Sequence, residues 1–187
     1  MTSQIHAPSG HHDADLPVET MWEGRFITAR RQGRWEYVSR ARGIRAAVIL
    51  AVDAEDHVIL VDQFRVPLGK RCIELPAGLV GDDDNNADED AAIAAARELE
   101  EETGYHAGTM EKVGEFFSSP GMVSESFTLF RAHGLTRVAE GGGVEGEDIV
   151  VHRVPLARIE QALKDWRAEG YAIDVKILTL LGPKLLG

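Results

Sequence analysis

From residue 97 to residue 105 the chain reads Arg-Glu-Leu-Glu-Glu-Glu-Thr-Gly-Tyr, and no other stretch restricts the fold as much. Alanine-rich sequence precedes it and Gly104 closes it, which predicts the last turns of a helix ending in a glycine C-cap. At about 3.6 residues per turn, Glu98, Glu101 and Glu102 share one third of the circumference, whereas Leu99, Ala92 and Ala96 point the other way, toward a core. Like charges spaced i,i+4, here Glu98 and Glu102, cost a helix about 0.2–0.5 kcal/mol. The macrodipole also disfavours anions near a helix C-terminus. Two local rules broken at one place predict a functional reason. Hard divalent cations such as magnesium or manganese take carboxylate oxygens and would turn the repulsion into coordination. The competing expectation is a solvated acidic helix face.

Composition narrows the class. The chain has 187 residues, 44% hydrophobic and 27% charged, enough for one domain with a real core and a small appendage. Its one cysteine, Cys72, lies in the apolar run Cys-Ile-Glu-Leu-Pro and reads as a buried thiol rather than a nucleophile. With no internal disulfide possible, no signal peptide and no apolar run of membrane-spanning length, a cytoplasmic location without membrane attachment is expected. A net charge of −11 excludes a general nucleic-acid binder. It would also repel an anionic substrate unless cations sit on the glutamates.

Along the chain, residues 1–16 lack periodicity and read as a disordered tail in which His6, His11 and His12 are incidental. Residues 17–43 form an N-terminal β unit, with strands at Met21–Arg31 and Arg34–Ala41 around a Gln32-Gly33 turn. Within 44–187, strands are expected at Ile44–Val52, Val58–Phe64, Cys72–Leu75, Val113–Phe117, Phe127–Ala132 and Ile149–Val154. Helices are expected at Glu89–Thr103, Pro155–Glu169 and Asp174–Leu181. Three loops stand out: the Pro76-Ala77-Gly78 turn, Ser118–Ser124, and the glycine-rich run from Gly141 to Glu147. The pattern is α/β, a mixed sheet with helices on both faces.

Arg97-Glu98-Leu99-x-Glu101-Glu102-x-Gly104-Tyr105, with Glu89 eight residues before Arg97, resembles the signature of the Nudix hydrolases. Tyr105 stands where an aliphatic residue is usual. The signature glycine expected six residues before Glu89 is Asp83; Gly78 is the better equivalent, so the Asp/Asn run at 82–86 reads as an insertion ahead of the helix. A calcium loop there would lack its glycine and its closing glutamate. The resemblance implies an α/β/α sandwich and hydrolysis of a nucleoside diphosphate linked to a second group. Gln63-Phe64-Arg65, Glu74-Leu75-Pro76-Ala77-Gly78, Ser119-Pro120-Gly121 and Glu145-Gly146-Glu147-Asp148-Ile149 resemble the ADP-ribose pyrophosphatase branch.

Roles follow from that resemblance. Glu98, Glu101 and Glu102, the Ala77 carbonyl and Glu147 are the expected ligands of Mg2+, with Mn2+ as a substitute. Glu145 is the candidate general base, acting with Glu98 and Glu101. Arg65 is expected on a phosphate, Glu125 and Pro120 near the terminal ribose, and Trp35 among the aromatics (Trp22, Phe26, Tyr37) able to stack an adenine. Arg97, Glu89, Gly78 and Gly104 are expected to be structural. Alternative functions are a pyrophosphatase for other nucleoside diphosphate sugars such as GDP-mannose, a non-catalytic ADP-ribose sensor, and a Nudix-fold isomerase. The sensor usually loses these glutamates; the isomerase calls for cysteine chemistry that Cys72 does not offer. A homodimer through the N-terminal strands is expected, because an isolated hairpin cannot bury its aromatics.

Overall fold

Gly24 interrupts the alternation that predicts a single strand over Met21–Arg31, and the chain turns there. The result is β1 (Val18–Glu23), β2 (Ile27–Gln32) and β3 (Trp35–Arg40), a three-stranded antiparallel sheet in that order rather than a hairpin. A Cβ on Gly24 would collide with the Trp22 indole, and the Gly24 N–H closes the turn on the Ile27 carbonyl at 2.9 Å. Gly33, at φ +58°, makes the next turn as expected. The computed structural model describes residues 10–41, 44–81, 90–144 and 146–182. They fall into two units, Met1–Gly43 with Ser119–Glu125, and Ile44–Ser118 with Ser126–Gly187.

Residues 1–9 of the expected tail lie outside the described residues, but residues 10–16 correct that expectation. His12–Asp15 forms a 3-10 turn whose buried Asp13 accepts from Arg34 Nε at 3.0 Å. Gln32 Nε2 donates to the carbonyls of Ala14 and Leu16, both at 2.9 Å. Most of the Ser118–Ser124 loop joins this unit. Along β3, the Val38 N–H donates to the Met122 carbonyl at 3.0 Å and the Val38 carbonyl accepts from Ser124 at 2.9 Å.

The larger unit begins with β4 (Arg45–Ala51), β5 (His57–Arg65), β6 (Lys70–Glu74) and β7 (Ala77–Val80). Helix α1 (Ala91–Thr103) follows, then β8 (Tyr105–His106), β9 (Thr109–Phe117), β10 (Ser126–His133) and β11 (Thr136–Arg137). The chain continues through β12 (Val150–Pro155), α2 (Ile159–Ala168) and β13 (Ala172–Ile173). One sheet has the order β7-β4-β10-β9, with β4 and β10 parallel and the outer pairs antiparallel. The other runs β12-β5-β6-β13, with only β6 and β13 parallel. β8 and β11 pair separately.

β4 is apolar on both faces, as a strand covered on both sides must be. Ala47, Ile49 and Ala51 pack with Ala94, Ala95 and Leu99 of α1, while Val48 joins Ile159 and Leu163 of α2. β5 divides in the same way, Ile59 to the first cluster and Val58 and Leu60 to the second. The strands therefore lie between the helices, in the α/β/α arrangement expected.

Two local expectations are corrected. Ala77 and Gly78 are not a turn: they open β7, which gives β4 an antiparallel neighbour, while the Pro76 carbonyl accepts from Ile49 at 2.8 Å. The last helix is a 3-10 segment, Val175–Leu180, entered through an Asp174 cap on the Lys176 N–H. Among the described residues no helix is long and apolar enough to cross a membrane.

Candidate functional site

Asp90 starts α1 by accepting from the Ala92 N–H at 2.7 Å; Glu89 and residues 82–86 lie outside the described residues. Gly104, at φ +72°, ends the helix with its N–H on the Glu100 carbonyl at 2.8 Å. The buried stripe is Ala94, Ala95, Leu99, Glu102 and Thr103, so it is rotated from the Ala92, Ala96 and Leu99 line that the sequence suggests. Glu102 thereby stands at the border of the core, only 9% exposed. Tyr105 is buried in the same cluster, where an aliphatic residue would otherwise fit.

Around Glu102 the expected residues converge unevenly. Its Oε2 accepts from the Ala77 N–H at 3.0 Å, so the recorded contact of Ala77 is through its nitrogen. Glu98 is largely enclosed and lies against β7: a Cβ on Gly78 would collide with its Cγ and Cδ. That is a packing reason for glycine at 78, distinct from a turn. Arg97 Nη1 lies 3.0 Å from both Glu98 Oε1 and Glu101 Oε2, and Glu101 is the most solvated of the three carboxylates.

Burial pushes the Glu102 carboxyl up to about 8. The Ala77 N–H opposes the shift, the charges of Glu98 and Glu147 add to it, and the Arg65 charge opposes it. Two of the three Arg65 nitrogens are taken, which leaves a phosphate one of them. The Nε and Nη2 of Arg65 fork onto Glu74 at 2.6 and 2.9 Å, which raises the guanidinium pKa further. Nη1 makes no hydrogen bond among the described residues. The charges of Glu98 and Glu147 thus both act on the buried Glu102 carboxyl, and the guanidinium that opposes them is already paired. Hard oxygen donors with surplus negative charge fit a divalent cation. Glu98, Glu102 and Glu147 could hold one.

The glycine-rich run is tied to the end of α1. The Gly142 N–H donates to the Glu102 carbonyl at 2.8 Å and the Gly143 N–H to the Glu101 carbonyl at 3.0 Å. These bonds satisfy carbonyls that a helix C-terminus leaves open, and they tie this part of the loop to α1. Glu147 Oε2 accepts from the Val144 N–H at 2.9 Å, inside the loop's own turn. Glu145 lies outside the described residues.

Other candidates belong to the smaller unit and are described there. Glu125 accepts from Arg40 Nε at 2.5 Å, Pro120 is exposed, and Trp35 sits edge-on to His11 with ring centres 6.3 Å apart. Trp35, His11, Asp13 and Gln32 line a hollow of about 200 Å³. His11, His12 and Asp13 bring metal-ligand atoms within 4.8 Å, but Arg34 already stands there as the cation, on Asp13 Oδ2 and His11 Nε2. In the larger unit Cys72 is buried, and burial followed by the Glu74 and Asp174 charges pushes its thiol up to about 12. It remains protonated and is no nucleophile.

Sequence reasoning missed Glu74 as the partner of Arg65. The signal was present: an acidic residue inside an apolar strand requires a cation.

The NUDIX domain family model matches residues 42–174. The chain belongs to the Nudix family. This Nudix chain is 39% identical over 149 residues to the GDP-mannose pyrophosphatase of Cronobacter sakazakii, covering 75% of this chain and 72% of that enzyme. It is 37% identical over 119 residues to the ADP-ribose pyrophosphatase of Bacillus subtilis, covering 64% and 60%. A solved structure called an ADP compounds hydrolase superposes with a TM-score of 0.66 at 24% identity, over 92% of this chain and 93% of that one, and shares its fold. Nudix enzymes are hydrolases that generally use divalent metal ions.

Proposed function

We propose that this Nudix hydrolase cleaves the pyrophosphate of a nucleoside diphosphate sugar, with ADP-ribose the preferred substrate, giving AMP and ribose 5-phosphate. Water adds to one phosphorus as the P–O–P bond breaks, and each product keeps one phosphate. The observation that carries this reading is the buried carboxyl of Glu102, whose ionisation is opposed by its burial and by the charges of Glu98 and Glu147. Mg2+, or Mn2+ in its place, bound there would neutralise the diphosphate and lower the pKa of a water. The chain's own contributions are positional. Arg97 steadies Glu98 and Glu101, and Gly78 leaves room for Glu98. Arg65 presents Nη1 to a phosphate while Glu74 fixes the rest of its guanidinium. Glu145 is the proposed base, and the Ala77 carbonyl a further proposed ligand.

The GDP-mannose pyrophosphatase similarity supports a second reading, the same bond cut in GDP-mannose. Product analysis by phosphorus NMR on ADP-ribose and GDP-mannose, with saturating magnesium, separates the two. AMP with ribose 5-phosphate as the faster product is expected; faster release of GMP with mannose 1-phosphate would replace the first reading by the second. Glu98→Gln should cut turnover by about 10²–10³-fold, the scale seen when one electrostatic partner of a transition state is removed. Turnover near the wild-type level would remove the metal assignment.

The same reading includes a homodimer formed through β1, β2 and β3. Their exposed Trp22 (57%) and Phe26 (52%), with Met21 and Trp35 also exposed, support it.

A further inference from the structure

Glu147 and Asp148 are held from opposite faces of the β12-β5-β6-β13 sheet. Along β5, Gln63 and Arg65 alternate with Asp62, so Gln63 shares the face of Ile59 and α1, and Asp62 the face of Leu60 and α2. From the first face, Gln63 Nε2 donates to the Glu147 carbonyl at 3.0 Å. From the second, Arg71 of β6 reaches Asp148 twice, Nη1 to Oδ2 at 2.8 Å and Nη2 to the carbonyl at 2.9 Å. Arg71 is itself seated on Asp62: its Nε donates to Oδ1 and its Nη2 to the Asp62 carbonyl at 3.1 Å. Asp62 is 1% exposed, and its other oxygen meets His152 Nε2 at 2.6 Å. The His152 ring in turn packs edge-on against Trp166 of α2, at 5.1 Å.

Asp148 has φ +51°, in the left-handed region that L residues rarely adopt. Such a conformation persists only where its surroundings over-determine it, and here Arg71 supplies two of the bonds. The guanidinium cannot tilt toward the loop or away from it without breaking its bonds to the carboxylate and the backbone carbonyl of buried Asp62. We infer that Arg71, anchored on Asp62, is a positioning residue that fixes the strand end of the glycine-rich loop and, through Asp148, holds Glu147 at the carboxylates of α1. The inference rests on Glu147 belonging to the proposed metal-holding set. A guanidinium is required, because an ammonium is a point charge without the planar fork that spans two partners.

The test uses the full chain and two variants. Arg71→Lys keeps a positive charge on Asp62 but cannot serve Asp62 and Asp148 together. Asp148→Asn tolerates the left-handed backbone and changes a solvated side chain, so it keeps the test open if Arg71→Lys folds poorly. Mn2+ affinity is measured by electron paramagnetic resonance without substrate, amide exchange over residues 141–149 by mass spectrometry, and kcat and KM on ADP-ribose and GDP-mannose. Arg71→Lys should weaken Mn2+ binding and lower kcat by about 10–100-fold, the usual cost of losing a partner behind a ligand. KM should stay within about twofold. Exchange should accelerate over 141–149 and remain slow in β4 and β5. Asp148→Asn should show the same pattern at smaller size, and the double variant should be no worse than Arg71→Lys. Unchanged Mn2+ affinity and loop exchange, or effects that add in the double variant, would reduce Arg71 to a fold-stabilising pair. If the wild-type protein hydrolyses neither sugar nucleotide, the substrate reading fails, while the Mn2+ and exchange measurements still judge the positioning role.

Discussion

Glu102 gives the metal-free protein an unusual dependence on pH. Its carboxyl titrates at about 8 in the fold, against 4.5 ordinarily, first because it is buried and then because Glu98 and Glu147 stand near it. Between those two values the folded state keeps a proton that the unfolded chain has released. Stability must therefore fall as pH rises, by up to about 1.4 kcal/mol per pH unit from this group. Chelator-treated protein should lose melting temperature between about pH 5 and about pH 8, and Glu102→Gln should flatten that slope. Divalent cations bind the ionised carboxylate, so their stabilisation should grow over the same range. A concentration of 100 times Kd would add about 2.7 kcal/mol. Calorimetry at several pH values, with and without magnesium, checks both statements. Gly78→Ala addresses the neighbouring contact. Its methyl group takes the space of the Glu98 stem, so metal affinity should fall even where the variant folds. Calorimetric titration with magnesium measures that loss.

At the scale of elements, the site depends on how α1 ends. Four carbonyls there find partners: Glu100 in the Gly104 N–H, Glu101 in Gly143, Glu102 in Gly142, and, beyond the buried Thr103, Gly104 itself in Val138 and Ala139. Gly104 and Gly141 have φ +72° and +76°, and a Cβ on either would meet backbone, the Ala139 carbonyl or Thr103. Gly141→Ala should destabilise the protein by about 1–3 kcal/mol, measured by urea unfolding, and should lower turnover as well because the loop is displaced. Much of this was legible beforehand. The helix, its glycine cap and its acidic face follow from local spacing, and the strands of the larger unit from short apolar runs. What escaped were relations between distant positions. Glu102 falls on the buried side because the stripe is set by what β4 and β7 present to it. Arg65 is occupied because Glu74, paired with Val61 in the β5–β6 register and on the same face, takes its guanidinium. Asp62, Arg71, Asp148 and His152 are separated by up to 90 residues, and only the folded sheet brings them together. The break at Gly24 is legible as a glycine inside an alternating run.

For the whole molecule, a net charge of −11 means that an anionic substrate approaches a repulsive surface. Turnover should therefore rise with moderate salt, which screens charge beyond about 10 Å at 0.1 M. The proposed dimer should appear in light scattering at micromolar concentration; a fully active monomer would dismiss it. Truncation before residue 10 should leave assembly unchanged, whereas removing residues 1–16 deletes Asp13 and the turn over Gln32 and should weaken it. The outer edge of β3 is covered by a segment supplied much later in the chain: Ser39 and Ser124, hydrogen-bonded at 2.9 Å, are 85 residues apart. At a synthesis rate of about 5–20 residues per second, the ribosome emits β3 about 4–17 seconds before the strip that covers it. Through that interval an aromatic sheet with an unpaired edge waits on the nascent chain, open to chaperones and to its neighbours on the same messenger.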